Sequence, residues 1–391
     1  MFSSDVVYFL PVPEKLPHHN GEKKMKNFFR TILSLTFLLI FIGLTAQESY
    51  RIIFLGDTHF DAEDEKYHTP GISKASSRDT GMWKERLPQL LKAAAKKADA
   101  NTAFVLQGGD MVEGGSGTAA THMNMLVDGY KCLQGYFPVP FLTVAGNHDI
   151  SSKVLKGEPQ AHIIYRNFAK EHLLPVIKSV KGVSGVMVST RGTDIAFRYG
   201  KDLYFLMNFN GYGTSPAFVK EVLEKNADAR YKIILTHAGP VSWDVRWRPN
   251  WRLYGNVKVA DRNVMLELFQ KHNCIFLTGH YHGIASLEYT TEKGSIYQIQ
   301  GCCVWTPDIP EKVTPIHAGP AEYGKFIQRS KHLNAAQKQA LIDFFKPGMK
   351  SYYYAKGAGY MTLDLSEKEV VVNYFHRAGD TPSCTFRIPK K

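Results

Sequence analysis

Cysteine is scarce in this chain of 391 residues, and its spacing matches no cysteine-based site. The five cysteines are an odd number, and no pair has the C-x-x-C spacing of a zinc ribbon or a redox motif. A bridge between the adjacent Cys302 and Cys303 would be strained. The sequence therefore indicates neither a disulfide framework nor a thiolate metal site. We expect buried, unpaired side chains at Cys132, Cys274, Cys302, Cys303 and Cys384.

Other signals of function are missing as well. The chain has no lysine-rich tail or basic helix of the kind that binds nucleic acid, and no internal repeat or low-complexity tract. The glycine-rich segment Gly108–Gly117 lacks the G-K-[ST] ending of a phosphate-binding P-loop. Charged residues make up 21% and hydrophobic residues 44%, which excludes a disordered chain and allows one large domain with a substantial core. The net charge of +12 favours anionic substrates by steering, or is ordinary surface charge.

The amino-terminal segment has the layout of a secretory signal. An apolar run of 14 residues, Thr31–Leu44, follows a basic stretch and precedes Thr45-Ala46-Gln47. The run is too short for a comfortable membrane span, and no cysteine follows it to carry a lipid anchor. We predict a signal peptide over residues 25–46, cleaved after Ala46, with residues 1–24 as an upstream extension because Met25 is the more natural start. The mature chain, 47–391, is then exported to the periplasm or the extracellular space without a stable membrane span. An uncleaved amino-terminal anchor is the alternative.

Five short apolar runs each end in residues that bind metals. In an α/β sheet, ligands bind in the crevice beyond the carboxyl ends of the strands. A single Asp or His at a strand end is usually structural, but five such groups in one chain predict one polar cluster. Their carboxylate, imidazole and amide donors suit zinc, manganese or iron. The groups are Gly56-Asp57-Thr58-His59, Gly109-Asp110-Met111-Val112-Glu113, Gly146-Asn147-His148-Asp149, Thr236-His237 and Gly279-His280-Tyr281-His282.

In chain order these groups read D-x-H, G-D-x-x-E, G-N-H-D, a lone His and G-H-x-H. The set resembles the calcineurin-like metallophosphoesterase family. The resemblance implies a four-layer αββα sandwich of two mixed β-sheets flanked by helices. It also implies two divalent ions (Mn, Fe or Zn), with Asp110 bridging between them. One ion would be bound by Asp57, His59, Asp110 and His282, and the other by Asp110, Asn147, His237 and His280. A tyrosinate-bound ferric site, as in the purple acid phosphatase branch, is not expected, because Glu113 stands where that branch has Tyr.

The same resemblance gives His148 no metal bond but a place beside the leaving group, as proton donor or charge stabiliser. Glu113 matches the position whose carboxylate orients this histidine in some relatives. Asp149 is the alternative orienting carboxylate, or simply caps the next turn. The expected activity is hydrolysis of phosphate esters by a metal-bridging hydroxide, with phosphomonoesters favoured. The alternatives are a phosphodiesterase or nuclease acting on cyclic nucleotides or nucleic acid, and a non-catalytic binding protein that keeps the fold.

The rest of the pattern alternates strands and helices, as is typical of a layered α/β domain. Hairpins are predicted at Ile195–Phe209, Ser286–Gln300 and Tyr360–Phe375, and a last strand at Thr385–Ile388. We assign residues 51–283 to the motif core and residues 284–391 to strands that complete the second sheet, with an insertion of unassigned role near 304–350. Helices are predicted over Arg86–Ala100, from Pro216, after an Asp261 cap and over Ala335–Phe345.

The loop that follows His237, Val241–Tyr254, alternates three tryptophans with three arginines. Arginine clamps phosphate oxygens, and tryptophan stacks on a base or sugar face. Within this loop Arg246, Trp247 and Arg248 are therefore candidate binding residues for a small phosphorylated substrate. In the alternative interpretation the tryptophans pack the loop onto the body and the arginines are solvated. Two lone histidines, His68 and His122, lie in loops that could also face the site.

Overall fold

The computed structural model describes residues 49–61, 82–114, 116–150, 159–208, 216–241, 259–328 and 333–391. The strands are β1 (Tyr50–Leu55), β2 (Thr102–Gln107), β3 (Phe141–Thr143), β4 (Val183–Val188), β5 (Ile195–Tyr199), β6 (Asp202–Leu206), β7 (Lys232–Leu235), β8 (Ile275–Thr278), β9 (Ile284–Thr291), β10 (Gly294–Gln300), β11 (Pro315–Ala318), β12 (Met349–Ala355), β13 (Gly359–Leu365), β14 (Glu369–His376) and β15 (Cys384–Pro389). The helices are α1 (Leu87–Ala95), α2 (Ala119–Gln134), α3 (Ala161–Phe168), α4 (Leu174–Ser179), α5 (Pro216–Lys225), α6 (Val259–Lys271), α7 (Lys325–Gln328) and α8 (Ala335–Phe345). Single π-helical turns lie at Met82–Arg86 and Ala169–Leu173, and 3₁₀ turns at Pro320–Glu322 and Lys346–Gly348.

The described strands form two mixed sheets. In the first, β1, β2 and β3 are parallel, and β13 pairs antiparallel with the other side of β1. This six-stranded sheet has the order β15-β14-β13-β1-β2-β3. In the second, β6, β7, β8 and β10 are parallel. This nine-stranded sheet has the order β11-β12-β9-β10-β8-β7-β6-β5-β4.

The two sheets stack face to face, with helices on both outer sides. Successive residues of a strand face opposite ways. Ile52 and Phe54 of β1 therefore pack with Leu277 of the other sheet, whereas Ile53 and Leu55 pack under α1, α2 and α3. Helices α5, α6 and α8 cover the outer face of the nine-stranded sheet. The predicted αββα sandwich is confirmed.

Most of the predicted secondary structure is present. The three hairpins are β5–β6, β9–β10 and β13–β14. Helix α8 covers the predicted residues, and Asn334 and Gln337 form a capping box at its start. Helix α1 ends at Ala95, five residues before the predicted Ala100. Helix α6 begins at Val259, so the predicted Asp261 cap lies inside the helix.

One prediction about the carboxyl-terminal strands is wrong. β13, β14 and β15 do not complete the second sheet but extend the first, because β13 pairs along the whole of β1, from Tyr50 opposite Leu365 to Leu55 opposite Tyr360. This pairing covers the free edge of β1 and places Leu363 and Leu365 in the core between the sheets. Of the strands in residues 284–391, only β9 to β12 belong to the second sheet, and β11 and β12 were not predicted.

The five cysteines all lie in the described part of the chain and form no disulfide there, and Cys274, Cys302 and Cys303 are buried as expected. Cys132 is exposed and Cys384 is partly exposed. Among the helices in the described part of the chain, none is both long enough and apolar enough to cross a membrane.

Candidate metal centre

The carboxyl ends of β1, β2 and β3 meet those of β7 and β8 at one edge of the sandwich. Hydrogen bonds join the strand ends of one sheet to those of the other. The backbone N–H of His280 donates to both carboxylate oxygens of Asp57 at 2.9 Å. Nδ1 of His237 donates to the carbonyl oxygen of Gly108 at 2.8 Å. The seam between the sheets therefore passes through the predicted cluster.

The donor atoms near Asp57 form a first group. Nε2 of His59 lies 3.1 Å from Nε2 of His282 and 3.7 Å from Oδ2 of Asp110. Oδ1 of Asp57 lies 3.7 Å from Nε2 of His282 and 4.0 Å from Nε2 of His59. The donor atoms of Asp57, His59 and His282 all lie within 4.8 Å of one another, and so do those of His59, Asp110 and His148.

A second group surrounds His237. Its Nε2 lies 3.1 Å from Oδ2 of Asp110, 3.2 Å from Oδ1 of Asn147 and 3.1 Å from Nδ1 of His280. Oδ2 of Asp110 thus faces both groups. The other oxygen, Oδ1, accepts the backbone N–H of His148 at 2.7 Å. A single oxygen of Asp110 is therefore the shared donor.

The spacings within the two groups fit divalent cations. Ligand bonds of about 2.1 Å place neighbouring donor atoms roughly 3.0–3.4 Å apart in tetrahedral or octahedral geometry. The closest donor pairs in both groups lie 3.1–3.2 Å apart. Imidazole nitrogens, carboxylates and an amide oxygen are also the donors that zinc, manganese and iron accept.

The electrostatics of the cluster also favour bound cations. Burial raises the pKa of Asp57, and the Asp110 charge adds to this, while His282 and His237 oppose it. Burial also raises the pKa of Asp110, but His237 and then His148 and His59 outweigh it and hold this pKa well below its usual range. Burial lowers the pKa of His237, yet Asp110 and Asp57 raise it to about 9. The Asp110 carboxylate thus stays ionised and draws positive charge onto the neighbouring His237.

The backbone at the strand ends takes conformations that L-residues rarely adopt. Four of the cluster residues have a left-handed φ, namely His59 at 47°, Asp110 at 50°, His280 at 79° and His282 at 44°. Each such residue destabilises the folded state by about 1–3 kcal/mol, and such strain concentrates at functional sites. Gly146 allows the close approach of two of these loops, since a Cβ there would lie 2.2 Å from the backbone nitrogen of Asp110.

Glu113 and His148 lie at the edge of the cluster. The Glu113 carboxylate is 3.0 Å from Nδ1 of His59 and 3.6 Å from Nδ1 of His148. Nδ1 of His148 instead donates to the main-chain carbonyl oxygen of Glu113 at 2.7 Å. The two residues are adjacent as predicted, but the hydrogen bond that orients His148 comes from the backbone.

Asp149 and His122 have structural surroundings. The Asp149 carboxylate is buried and accepts the backbone N–H groups of Met111, Val112 and Gly146. Burial and then the Asp110 charge raise its pKa to about 6, which these N–H groups oppose. His122 is also buried, with Nε2 donating to the Asp149 carbonyl oxygen and Nδ1 bonded to Ser116. Both side chains hold the loops together.

Two supporting residues were missed in the sequence. Gln107, at the end of β2, donates to the carbonyl oxygens of Gly56 and Gly109 and accepts the N–H of Gly109. Asn208, just after β6, accepts the N–H of Ala145. Both are buried polar side chains at the carboxyl end of an apolar strand. The strand-end pattern that revealed the ligands would have revealed these two as well. The candidate substrate residues Arg246, Trp247 and Arg248, and also His68, lie outside the described residues.

The comparisons with known proteins agree with this geometry. The family model described as calcineurin-like phosphoesterase matches residues 50–283, which is more than half of the chain. The chain belongs to the calcineurin-like phosphoesterase family. The match supports a hydrolase that acts on phosphoric ester bonds, from a family that uses two metal ions. No curated protein matches the sequence.

Solved structures that resemble this phosphoesterase show the same fold. The purple acid phosphatase PPD1 from yellow lupin is 12% identical, with a TM-score of 0.51 over 87% of this chain and 54% of its own. A structure named PhoD is 10% identical, with a TM-score of 0.51 over 88% of this chain and 70% of its own. The chain thus spans about half the length of the lupin enzyme. A dimetal phosphatase from Danio rerio is also similar, at 12% identity and a TM-score of 0.47 over 88% of this chain and 99% of its own.

Proposed function

We propose that this protein is a dinuclear metal-dependent phosphomonoesterase. The observation that carries the proposal is the position of Asp110, whose Oδ2 faces His59 on one side and His237 on the other. Two donor groups that share one carboxylate oxygen can hold two ions roughly 3.5–4 Å apart, the separation found in two-metal phosphatases. We infer that manganese, iron or zinc fills both positions, since no thiolate is among the donors.

The proposed ligands are Asp57, His59, Asp110 and His282 for one ion, and Asp110, Asn147, His237 and His280 for the other. Two divalent ions supply Lewis-acid chemistry here, lowering the pKa of a water molecule and stabilising charge on phosphoryl oxygens. Asp57 and Asp110 neutralise only half of the charge of such a pair. With the Glu113 carboxylate counted as well, two divalent ions would still leave a net positive charge, which matches a phosphate monoester dianion better than a diester monoanion.

His148 is the proposed proton donor to the leaving group. Its Nδ1–H is held by the Glu113 carbonyl oxygen, so Nε2 is the nitrogen left to carry a proton to the ester. The side chain is 30% exposed, whereas His59 and His237 are fully buried. An exposed ring beside the ion cluster can reach both a bound ester and the water that restores its proton.

The Trp/Arg loop, Val241–Tyr254, is proposed to bind the rest of a larger substrate such as a nucleotide or sugar phosphate. Its first residue, Val241, follows His237 by four residues and is held by Gln298, which accepts from its N–H and donates to its carbonyl oxygen. Stacking on one tryptophan contributes about 1–3 kcal/mol. Trp247→Ala or Arg248→Ala should therefore lower the affinity for a large cognate substrate roughly 5- to 150-fold. The turnover of p-nitrophenyl phosphate should not change. Equal losses for both substrates would make the loop structural.

We further propose that the enzyme is exported. The support is the sequence pattern of Thr31–Leu44, with basic residues before it and Ala46 after it. Amino-terminal sequencing of the protein from its native host should begin at Gln47. A retained apolar segment in the membrane fraction would support the uncleaved anchor instead.

Metal analysis combined with a phosphoester panel tests the activity. We expect two ions per chain and faster turnover of phosphomonoesters than of bis(p-nitrophenyl) phosphate. Preference for the diester would indicate a phosphodiesterase or nuclease. Two bound ions without turnover of any ester would indicate a binding protein.

A further inference from the structure

The imidazoles of the centre differ in what orients them. A ligating histidine usually donates its second ring N–H to a carboxylate or a carbonyl oxygen. Nδ1 of His237 donates to the neutral carbonyl of Gly108, whereas Nδ1 of His59 faces the Glu113 carboxylate. These two ligands therefore differ, because His59 has a charged group behind its imidazole and His237 has a neutral one.

We propose that the Glu113 side chain is a positioning residue for His59, and through it for one of the two ions, and that it does not orient His148. This inference rests on the proposed function. It assigns two different roles to one residue. The carboxylate acts on the ligand His59, and the main-chain carbonyl oxygen acts on His148.

The hydrogen-bond geometry separates the two roles. An ionised carboxylate and a carbonyl oxygen can only accept, so each partner nitrogen must carry a hydrogen. Nδ1 of His59 is 3.0 Å from Oε2 of Glu113, within hydrogen-bond range. Nδ1 of His148 is 2.7 Å from the Glu113 carbonyl oxygen but 3.6 Å from Oε1. Since a ring nitrogen has one hydrogen, that of His148 goes to the main chain.

The arrangement fixes the tautomer of His59. With its hydrogen on Nδ1, the lone pair of Nε2 points toward Asp110 and His282, at 3.7 and 3.1 Å. A negative acceptor behind the ring also makes Nε2 a stronger donor to a cation. Removing the carboxylate should therefore weaken one ion more than the other, and should leave proton transfer from His148 intact.

The experiment compares Glu113→Ala and Glu113→Gln with wild type, using stepwise Zn²⁺ binding measured by calorimetry. Loss of an outer partner of a ligand typically costs 10–100-fold in metal affinity. We expect a loss of that size for one of the two ions in Glu113→Ala, and a smaller loss in Glu113→Gln, whose amide oxygen can still accept from Nδ1. Glu221→Gln, on the exposed face of α5, is the matched control and should bind both ions as wild type does.

The second readout is the dependence of the rate on the leaving group at saturating Zn²⁺. If Glu113 acts on His59, aryl and alkyl phosphates should be slowed by the same factor. Unchanged affinity for both ions, together with a rate loss only for esters with poor leaving groups, would overturn the proposal. Glu113 would then act on His148. Equal weakening of both ions would also overturn it, because the carboxylate would then support the scaffold and not one ligand.

A measurement on the wild type covers the case in which the variants fail to fold. Long-range ¹H–¹⁵N NMR of the Zn²⁺-loaded protein should find the hydrogen of His59 on Nδ1, and a hydrogen on Nε2 would refute the inference. A different result would refute the proposed function, namely wild-type protein that binds fewer than two ions or hydrolyses no ester.

Discussion

Replacing Asp110 with asparagine is the most direct test of a shared ligand. Asp110 has a φ of 50°, a conformation that asparagine tolerates better than most residues, so the backbone should not change. The carboxylate has two oxygens with separate tasks. Oδ1 accepts the N–H of His148, and Oδ2 faces His59 and His237. Asparagine has only one oxygen and cannot fill both positions.

The size of the effect follows from this conflict. If the amide oxygen stays with His148, the NH₂ group points its hydrogens at both donor groups. If it turns toward the ions, the N–H of His148 loses its acceptor. Loss of an outer partner of a ligand lowers metal affinity 10–100-fold. Loss of the shared ligand itself should therefore lower the affinity for one ion by at least about 100-fold. Loss of the two-ion arrangement removes several kcal/mol of transition-state stabilisation. About 4 kcal/mol corresponds to a rate loss of roughly 10³-fold.

The assay is metal content by mass spectrometry after gel filtration, together with turnover of p-nitrophenyl phosphate. Asp110→Asn should retain at most one ion per chain and lose activity. Asp343→Asn, an exposed aspartate on α8, is the control for the same chemical change and should keep both ions. Full two-ion occupancy and a normal rate in Asp110→Asn would refute the shared-ligand assignment.

Three further predictions concern catalysis, metal removal and stability. His148→Ala should keep both ions but lower the rate by roughly 10²–10⁴, with the smaller loss for p-nitrophenyl phosphate; metal loss in this variant would make His148 a ligand. Each ion present at 100 times its Kd adds about 2.7 kcal/mol to the free energy of unfolding, so a chelator should lower the Tm measured by calorimetry, and an unchanged Tm would contradict two tight sites. Asp202→Asn should cost about 3–5 kcal/mol in urea unfolding, because buried Asp202 accepts from Arg230 and Tyr50; activity per folded molecule should persist, since Asp202 begins β6 at the end away from the metal centre.

The sequence pattern predicted a layered α/β domain and one polar cluster for the same reason, whereas the αββα order of the layers and the two-ion ligand set came from the family resemblance. A buried strand appears as a short apolar run, and the residue types that follow it are visible without any knowledge of pairing. Parallel strands then bring those residues to one edge, as Asp57 and Asp110 show at the ends of β1 and β2. Predicting that these polar residues form one cluster therefore required only local patterns and one topological rule.

The parts that were missed depend on contacts that no local pattern contains. β13 and β9 are both apolar hairpin strands, yet β13 joins the first sheet and β9 the second. Which sheet each one joins is decided by the free edge of β1, far away in sequence. The role of Glu113 was similarly hidden. The motif position places it near His148, but only the geometry shows that its carboxylate lies closer to His59.

The placement of the centre at the seam links metal binding to the fold itself. The first group takes Asp57 and His59 from one sheet and His282 from the other. The second group takes Asp110 from one sheet and His237 and His280 from the other. Each ion would therefore connect the two sheets at their carboxyl edge, where the four left-handed residues make the backbone least favourable. The binding energy of the ions would offset that local strain, so metal removal should loosen the strand-end loops before it affects the core between the sheets. Hydrogen exchange after chelation should then rise first at Gly109 and Gly146, and much later at Ile53 and Leu277.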